Sequence, residues 1–397
     1  MKRILLFSHA LELGGAERAL IGLLDSIDYS RYSVDLFLMR HQGEMMPFIP
    51  EKVRLLPEIP QYASLAVPIT DVVRREQMGV ALGRAYGKWR TAQYIKKNAI
   101  TGECGVALDY SHKYTRTFMP SVGEGEYDLA ISFLTPHYFV AEKVQAKCKL
   151  AWIHTDYSRV QVDVASEEAM WGRYDHIAAI SPAVGEAFAG VFPALADKLL
   201  PLENIVSARL VRADAAGDVS AEVPRDGSIR LLSVGRYTNA KNFDNVPYIC
   251  RHLRQMGLNV KWYLIGFGGE EELIRRSIAE AGMEEHVILL GKKANPYPYI
   301  AACDLYVQPS RYEGKAVTVR EAQMLGKPAV ITRYATSASQ LEENVDGVIV
   351  PMDNEGCAAG IAALLRDEEK MERLRQTCLT RDYSNAEEVE KIYQLME

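Results

Sequence analysis

The sequence predicts an α/β protein with two domains, each built on a parallel sheet. Three observations support this fold class. The chain has 397 residues, which is longer than most single domains. Short, continuous apolar runs recur along it, as expected for strands that are buried on both faces. The stretches between them have helical periodicity, and alternating strands and helices imply right-handed crossovers within parallel sheets.

Apolar runs rich in β-forming residues predict the strands. Each run is continuous rather than alternating, which favours strands inside a sheet that is covered on both faces. The runs of the first half are 4–7, 34–38, 129–133, 150–154 and 177–180, and those of the second half are 231–234, 262–265, 287–290, 305–307, 329–332 and 348–350.

Helices are predicted between these strands. Leucines and isoleucines recur at helical spacing after Gly15 and again within 270–281. The stretch 101–125 lacks this periodicity and reads as a loop. The stretch 207–228 is poor in apolar residues and rich in Ala, Asp and Gly, which predicts a linker or long surface loop between the two domains.

Composition excludes several classes of protein. The formal net charge is −6, so a nucleic-acid partner held by overall basicity is not expected. The closest two of the six cysteines, Cys357 and Cys378, are 21 residues apart, which favours a reduced, cytoplasmic protein without a zinc ribbon. No apolar run is long enough to span a membrane as a helix. The run at 4–7 is too short for a signal peptide.

Two glycines stand where the first strand gives way to a helix. In Gly14-Gly15-Ala16-Glu17, the missing side chains would let the backbone approach a phosphate at a helix N-terminus. The pattern matches neither the dinucleotide-binding fingerprint nor the P-loop. A tight strand-to-helix turn explains it equally well.

Two cations follow the first strand of the second half. Gly235 and Arg236 end that strand, and Lys241 and Asn242 follow shortly after. Cations at the carboxyl end of a parallel strand suit a diphosphate, although two solvated surface cations would have the same spacing. The next strand ends in a glycine-rich loop that contains Gly266, which predicts either a turn or a contact with a base or sugar.

Two glutamates frame the segment after the strand at 305–307. Glu313 and Glu321 have seven residues between them. We expect Glu313 in a loop and Glu321 in the following helix, where both could accept hydrogen bonds from sugar hydroxyls. A capping box formed by Thr318 and Glu321 is the alternative. His154, which ends a strand of the first half, is either a cleft residue or a structural histidine.

No metal site is predicted. No cluster of histidines or carboxylates has metal-ligand spacing, and no Asp-x-Asp motif occurs in the sequence. Signatures of a serine hydrolase or a catalytic cysteine are also missing.

A basic segment in the first half suggests a surface for a charged partner. Residues 71–97 include seven basic residues and two acidic ones, a net +5, interleaved with Tyr86, Trp89 and Tyr94. This pattern predicts a basic amphipathic helix. Such a helix either lies on an anionic membrane surface or is an ordinary solvated face.

The order and spacing of these motifs resemble the retaining glycosyltransferases of the GT-B fold, family GT4, also called glycosyl transferases group 1. The resemblance is densest over 230–351. Its most specific part is the block 309–328, in which the two glutamates form the family's E-x7-E signature. The other matching blocks are 14–17, 235–242 and 265–268.

This resemblance implies two Rossmann-like domains with parallel sheets that face each other across a cleft. Residues 1–206 would bind an acceptor, and residues 229–380 would bind a nucleotide sugar. The stretch 207–228 would connect them. Residues 381–397 would form a helix that crosses back to the N-terminal domain.

The resemblance also implies roles for individual residues. Arg236 and Lys241 would bind the donor diphosphate and stabilise the leaving nucleotide. Glu321 would hold the ribose, and Glu313 would hold the donor sugar with the backbone at 314–316. By position, the catalytic roles fall to Arg236, Lys241, Glu313 and His154, and the donor-binding roles fall to Gly14, Gly15, Gly235, Gly266, Gly314, Lys315, Ala316 and Glu321.

The sequence departs from the family pattern at two places. The usual Gly-Phe-Gly after the first glutamate is Gly314-Lys315-Ala316, which puts a cation near the sugar or phosphate. Asn242 stands where the family often has glycine.

We therefore expect a cytoplasmic glycosyltransferase, with residues 71–97 as the segment that would contact the inner face of the membrane. It would move a hexose from a UDP- or GDP-sugar co-substrate to a hydroxyl of a glycan or lipid-linked acceptor, in surface polysaccharide synthesis, without a metal or other cofactor. Two alternatives stay open. One is a GT-B phosphorylase or sugar-nucleotide epimerase, and the other is a non-catalytic subunit that binds a sugar nucleotide.

Overall fold

The computed structural model describes residues 1–12, 14–100, 104–134, 136–155, 157, 160–313 and 316–397. The chain divides into two units. Unit 1 comprises Met1–Ser207 together with Asn385–Glu397, and unit 2 comprises Ala208–Ser384. Each unit is described below by itself.

Within the described residues, unit 1 contains a seven-stranded parallel sheet. Its strands are β1 (Lys2–Ser8), β2 (Tyr32–Leu38), β3 (Arg54–Leu55), β4 (Tyr127–Ser132), β5 (Ala146–Ile153), β6 (His176–Ala179) and β7 (Leu199–Pro201). Their order across the sheet is β3-β2-β1-β4-β5-β6-β7.

The described part of unit 2 contains a six-stranded parallel sheet. Its strands are β8 (Ile229–Val234), β9 (Val260–Ile265), β10 (Val287–Gly291), β11 (Leu305–Gln308), β12 (Ala329–Thr332) and β13 (Gly347–Val350). Their order across the sheet is β10-β9-β8-β11-β12-β13.

The two sheets share one topology. In each, the chain runs from the first strand through two neighbours to one edge, then returns to the other side of the first strand. The strand order therefore reverses between β1 and β4 in unit 1 and between β8 and β11 in unit 2. In open α/β sheets, ligands bind beyond the carboxyl ends of the strands at such reversals.

Helices connect the strands. Those of unit 1 are α1 (Gly15–Ser26), α2 (Pro60–Ala63), α3 (Ile69–Arg74), α4 (Met78–Asn98), α5 (Val106–Thr115), α6 (Tyr138–Lys143), α7 (Val164–Trp171) and α8 (Pro182–Val191). Those of unit 2 are α9 (Ala208–Asp214), α10 (Val246–Gln255), α11 (Glu271–Ala281), α12 (Tyr297–Ala302), α13 (Val317–Met324), α14 (Ser337–Gln340), α15 (Asn354–Arg366) and α16 (Glu368–Thr380). Helix α17 (Val389–Gln394) belongs to unit 1, and 3-10 turns occur at Met46–Phe48, Ser64–Ala66, Arg116–Phe118, Pro193–Lys198, Asn239–Lys241 and Ala386–Glu388.

Every predicted apolar run overlaps a strand, which confirms the strand predictions. The central strand β1 is typical, because Ile4 through Phe7 are at most 2% exposed, as a sheet covered on both faces requires. Strands β3 and β7 were not predicted. They are only two and three residues long and pair along a single side at the sheet edges, so they leave no apolar run in the sequence.

The stretch expected to be a linker differs from the prediction. Ala208–Asp214 forms helix α9, with Leu210 and Val211 buried. Within unit 2, Asn295 Nδ2 donates to the Asp214 carbonyl at 2.7 Å. Further along, the Glu222 carboxylate accepts a hydrogen bond from Tyr299 at 2.6 Å. The residues after Ser207 are therefore attached to unit 2.

The stretch at 101–125 also differs from the loop that was expected, because it contains helix α5. The buried face of this helix carries polar residues. Asp109 accepts hydrogen bonds from the Tyr138 hydroxyl and the Ser166 hydroxyl, both at 2.8 Å. A helix whose buried face carries polar side chains lacks a regular apolar periodicity, so the usual signal was missing.

The C-terminal residues pack within unit 1. The Tyr393 ring stacks on Tyr32 with ring centroids 4.1 Å apart. Its hydroxyl accepts a hydrogen bond from the Asp28 backbone at 2.7 Å. Lys2 donates to the Met396 carbonyl at 2.6 Å. The helical part, α17, is shorter than the helix expected over 381–397.

Candidate active site

The strand reversal of unit 2 brings the predicted lysine and the first predicted glutamate together. Lys241 lies in the turn Asn239–Lys241 after β8, and Glu313 follows β11. The Lys241 ammonium donates to Glu313 Oε1 at 2.5 Å. The pairing joins loops that are 72 residues apart and lies where the topology favours a ligand site.

Further donors fix the Glu313 carboxylate. Ser310 Oγ donates to the same oxygen at 2.6 Å, and Gln308 Nε2 donates to it at 3.2 Å. Thr336 anchors the Glu313 backbone carbonyl at 2.7 Å. Neither Ser310 nor Gln308 was predicted, because an ordinary polar residue after a strand carries no distinctive spacing.

A buried phenol adds a polar group to this loop cluster. Tyr334 is 3% exposed, and its hydroxyl has no hydrogen-bond partner among the described residues. Burial raises its pKa, and the Glu313 charge raises it further. A buried hydroxyl without a partner is uncommon in folded proteins, so a ligand is one explanation.

Arg311 fixes the turn that carries Lys241. Its guanidinium forms a two-pronged contact with Asp244 at 2.9 and 2.7 Å and also donates to the Asn239 carbonyl at 2.7 Å. Such forked pairs are geometrically specific. This arginine therefore ties the loop after β11 to the loop after β8.

Asn242 explains one departure from the family pattern. Its backbone is left-handed, with φ +60°, a conformation that glycine adopts readily and asparagine tolerates better than most residues. Its side chain is buried and donates to the Pro309 carbonyl at 2.8 Å. Asparagine at this position thus combines a left-handed backbone, which glycine would also adopt, with a side-chain cross-link to Pro309.

Arg236 is the second predicted cation, and it is exposed. No hydrogen bond or ion pair of its side chain is found within the part of the chain that the structure describes. Lys241, by contrast, is already paired with Glu313. An anion at this edge would therefore compete with Glu313 for Lys241 but would meet no such competitor at Arg236.

The glycines of unit 2 allow loops to approach closely. A Cβ on Gly266 would lie 1.8 Å from the Gly235 carbonyl oxygen, and a Cβ on Gly235 would lie 3.1 Å from Lys241 Cδ. Gly266 is therefore needed for backbone packing between the loops after β8 and β9. Gly235 gives room to the Lys241 stem.

Glu321 lies in α13 and is 8% exposed. Its Oε1 accepts a hydrogen bond from the Tyr297 hydroxyl at 2.8 Å. The capping-box interpretation is wrong, because Ala316 caps this helix without a side-chain bond and Thr318 lies inside it. The Glu321 carboxylate is held from the side by α12 instead.

The remaining predicted sugar-binding positions follow Glu313. Gly314 and Lys315 lie outside the described residues. The Ala316 amide donates to Gln340 Oε1 at 2.7 Å, and Gln340 Nε2 donates back to the Ala316 carbonyl at 3.1 Å. The amide expected to bind the donor sugar is thus engaged by Gln340 in this structure.

In unit 1, the two glycines before α1 differ in their surroundings. A Cβ on Gly14 would lie 2.1 Å from Glu17 Oε2, so Gly14 makes room for a carboxylate that folds back over the helix start. A Cβ on Gly15 would meet nothing within 4 Å. Gly15 therefore faces open space, whereas Gly14 is required because a side chain there would collide with Glu17.

A cavity of about 260 Å³ lies beyond the carboxyl ends of β1 and β2. Its apolar lining includes Met39 and Leu65, and its polar lining includes His9, His112 and Glu17. His9 Nε2 and His112 Nδ1 are buried without a partner among the described residues. Burial raises the pKa of Glu17. The cavity thus combines apolar walls with convergent polar groups, as small-molecule sites do.

Histidines near these strand ends are held neutral. Burial lowers the pKa of His9 to about 4 and that of His112 to about 3. His154, directly after β5, also has its pKa lowered to about 4 by burial. Its Nε2 atom is buried without a partner among the described residues. His154 is thus a neutral polar group, and its expected catalytic role stays a prediction.

The described residues contain neither a metal-binding cluster, nor a membrane-spanning helix, nor a paired cysteine. No group of three or more His, Cys, Asp or Glu side chains is arranged to hold a metal ion. No helix combines the length and apolar character needed to cross a membrane. All six cysteines are unpaired.

Comparison with known proteins supports a glycosyltransferase family. Residues 218–378 match the family model described as glycosyl transferases group 1. The amylovoran biosynthesis glycosyltransferase AmsK of Erwinia amylovora is 32% identical over 145 residues, which are 34% of this chain and 35% of AmsK. The N-acetylgalactosamine-N,N'-diacetylbacillosaminyl-diphospho-undecaprenol 4-alpha-N-acetylgalactosaminyltransferase of Campylobacter jejuni is 28% identical over 153 residues, which are 38% of this chain and 41% of that enzyme. The chain thus spans less than half of the length of these curated relatives.

Solved structures support the fold over the whole chain. Anabaena Alr3699/HepE, solved in complex with UDP and glucose, matches 99% of this chain and 99% of its own, with a TM-score of 0.59 and 16% identity. At this identity the likeness concerns the fold alone. Together with the two parallel-sheet units, it shows the GT-B fold that the sequence predicts.

Proposed function

We propose that this chain is a retaining glycosyltransferase of family GT4. It transfers a hexose from a nucleoside diphosphate sugar to a hydroxyl of a glycan acceptor. One observation carries the proposal: Lys241 and Glu313 converge at the strand reversal of unit 2, on the same edge as the exposed Arg236. This edge lies within the segment that matches the glycosyl transferases group 1 model.

The donor step follows from the charges at this edge. The bond between the anomeric carbon and the phosphate oxygen breaks, and its electron pair leaves with the nucleoside diphosphate. The acceptor oxygen forms the new bond to that carbon, and its proton passes to the departing diphosphate. Arg236 and Lys241 stabilise the charge that develops on the leaving diphosphate. Glu313 orients Lys241, and Glu321 is placed to accept hydrogen bonds from the ribose hydroxyls.

The cavity of unit 1 suits an acceptor sugar. Neutral His9 and His112 together with the Glu17 carboxylate offer hydrogen bonds to hydroxyls, while Met39 and Leu65 offer an apolar wall for a sugar ring. The charged groups of the lining are Arg40, Glu12 and Glu17, which together carry no net positive charge, and neutral imidazoles would not attract an anion strongly. We therefore assign this cavity to a neutral sugar unit rather than to the diphosphate.

The wider role that we propose is surface polysaccharide synthesis on a lipid-linked acceptor, on the cytoplasmic side. Relatives named for amylovoran biosynthesis and for a diphospho-undecaprenol substrate support it. The six unpaired thiols fit a reducing compartment.

Ligand-dependent thermal stability tests the proposal first. We expect one nucleoside diphosphate among UDP, GDP, ADP and dTDP to raise the melting temperature, because a ligand that binds only the folded state stabilises it. The corresponding nucleotide sugar should then be hydrolysed slowly, with release of the nucleoside diphosphate. Arg236→Ala should reduce both effects. Arg276→Ala, at an exposed arginine of α11, is the matched control and should change neither.

The products separate this proposal from its alternatives. Release of sugar 1-phosphate in the presence of phosphate would indicate a phosphorylase, and an epimerised nucleotide sugar would indicate an epimerase. Binding without any release of nucleoside diphosphate would indicate a non-catalytic subunit. The anomeric configuration of a transferred product, read by NMR, tests retention.

A further inference from the structure

Helix α4 of unit 1 exposes a continuous apolar face. Met78, Leu82, Tyr86 and Trp89 recur at helical spacing, and they are 45% to 63% exposed. Phe118 is 47% exposed and lies beside the same helix, since a Cβ on Gly79 would meet its ring at 2.5 Å. We call these five side chains the α4 stripe. Such a cluster is larger than the scattered apolar residues of an ordinary surface.

Packing fixes the orientation of the α4 stripe. On the opposite face of α4, a Cβ on Gly83 would lie 2.6 Å from the Tyr114 carbonyl oxygen, and one on Gly87 would lie 2.8 Å from the Tyr110 carbonyl oxygen. These glycines allow α4 to lie closely against α5. The helix therefore cannot turn its apolar stripe inward without losing this contact.

Cations flank the α4 stripe. Lys88, Lys96 and Lys97 are exposed on α4. Arg90 lies over the Tyr86 ring, 5.9 Å from its centroid. The segment 71–97 carries a net +5 in a chain whose net charge is −6, so basic charge is concentrated at the stripe.

One of the basic residues of this segment belongs to the interior. Arg84 is half-buried and donates to the backbone carbonyls of Ser64 and Val67. Burial lowers its pKa. Arg84 is therefore a structural link, and the charge available to a partner comes from the exposed lysines and arginines.

We propose that the α4 stripe docks this protein on an anionic lipid surface. Charge complementarity favours this occupant, because exposed cations beside Trp and Tyr match the negative headgroups and the interfacial layer of such a bilayer. The α4 helix lies in the plane of the surface, with its apolar side chains at the level of the headgroups. This inference rests on the proposed function in one respect, namely that a lipid-linked acceptor lies at such a surface.

Vesicle co-sedimentation tests this docking with the full chain and without any nucleotide sugar. We expect binding to vesicles of phosphatidylcholine and phosphatidylglycerol at low salt, weaker binding at high salt, and little binding to phosphatidylcholine alone. Trp89 provides a second readout, because the other tryptophans, Trp152, Trp171 and Trp262, are at most 1% exposed. Its emission should shift to the blue on binding.

Two sets of variants separate charge from apolar contact. Replacing Lys88, Lys96 and Lys97 with serine should lower vesicle partitioning roughly a hundredfold at low salt, since each basic residue near the surface contributes about a fivefold factor. The control variant removes three exposed arginines of unit 2 and so changes the net charge equally. This variant, Arg212→Ser/Arg276→Ser/Arg373→Ser, should bind vesicles nearly as well as the wild type. Leu82→Ser/Trp89→Ser should weaken the binding that remains at high salt.

Several results would overturn the docking proposal. These are no binding to anionic vesicles at low salt, equal losses in the two charge variants, or pelleting with no change in Trp89 emission. A molar mass of two chains in solution that returns to one chain in Leu82→Ser/Trp89→Ser would assign the stripe to self-association. Nucleoside diphosphate binding and donor hydrolysis are measured separately, so loss of docking with both retained leaves the proposed function intact.

Discussion

The two units place different chemistry on the same topology. Both reverse their strand order beside the first strand. At this edge unit 2 carries the charged pair Lys241 and Glu313 and the exposed Arg236. Near the corresponding edge of unit 1 lie buried neutral histidines such as His9 and His112. The fold therefore supplies the location of a site, and the residues at the strand ends decide what the site can bind.

Burial explains the difference between the two edges. In unit 1 the histidines are desolvated, which disfavours their charged form. In unit 2 the lysine keeps a carboxylate partner that is itself held by Ser310 and Gln308. An exposed cation such as Arg236 suits a diphosphate, whereas neutral hydrogen-bonding groups suit hydroxyls. Changing the residues of one edge at a time tests whether they cause this difference.

The largest effect is expected from the cations of unit 2. Lys241→Ala and Arg236→Ala should each lower kcat by roughly a hundredfold, or about 3 kcal/mol, by analogy with the loss of one preorganised electrostatic contact. Nucleoside diphosphate affinity should fall less than kcat, because the charge on the leaving group is greatest in the transition state. Steady-state kinetics and calorimetry measure the two quantities.

Arg236 gives the cleaner of these two measurements. Removing Lys241 leaves the Glu313 carboxylate without its cation, which can disturb the loop as well as the chemistry. Arg236 has no such partner among the described residues, so its removal should leave the melting temperature unchanged. A kcat like that of the wild type in either variant would exclude the assigned roles.

A smaller effect, on stability, should come from the histidines of unit 1. The pKa of His154 is about 4 in the folded chain, below its ordinary unfolded value of about 6.5. As the pH falls, the unfolded chain therefore takes up a proton before the folded chain does. The free energy of unfolding keeps its full value above pH 6.5 and decreases between pH 6.5 and pH 4. Each such histidine should lower the free energy of unfolding by roughly 2 kcal/mol between pH 7 and pH 4.5.

Urea unfolding of wild type and His154→Gln at pH 7 and pH 4.5 measures this loss. The variant should lose less stability than the wild type over the same interval. Because the shift arises from burial rather than from a charged neighbour, high salt should not remove it. An identical pH dependence in the two proteins would show that His154 is not held neutral by burial.

The fold was more predictable from the sequence than the contacts of the site. Strands buried on both faces leave continuous apolar runs, so β1 and β9 are visible without a structure. Helix α5 was missed because its inner face buries polar groups. Asp109 accepts a hydrogen bond from the Tyr138 hydroxyl, and the Thr115 hydroxyl donates to the Ser111 carbonyl. The spacing of apolar residues in a sequence predicts which of them are buried. It gives no sign of polar side chains that are buried together with a hydrogen-bond partner.

In the candidate site, too, individual residues could be predicted from the sequence but their contacts could not. The sequence located Lys241 and Glu313, but their contact depends on the order of β8 and β11 in the sheet. Arg311 and Tyr297 were missed because their partners, Asp244 and Glu321, lie on other elements. Contacts of this kind depend on tertiary structure, so a single sequence carries no spacing that identifies them.

The smallest expected effect concerns metal ions, and it tests whether unit 2 supplies its own positive charge. We propose that Arg236 and Lys241 do the work that a divalent ion does in other transferases, namely stabilising the diphosphate. Turnover should therefore be unchanged by EDTA and by added magnesium. Arg236→Ala sharpens the test, because an ion can replace a missing cation: magnesium should raise the rate of this variant more than that of the wild type. If EDTA abolished turnover of the wild type and magnesium restored it, the leaving-group charge would be stabilised by an ion, and the cation-pair mechanism would be wrong.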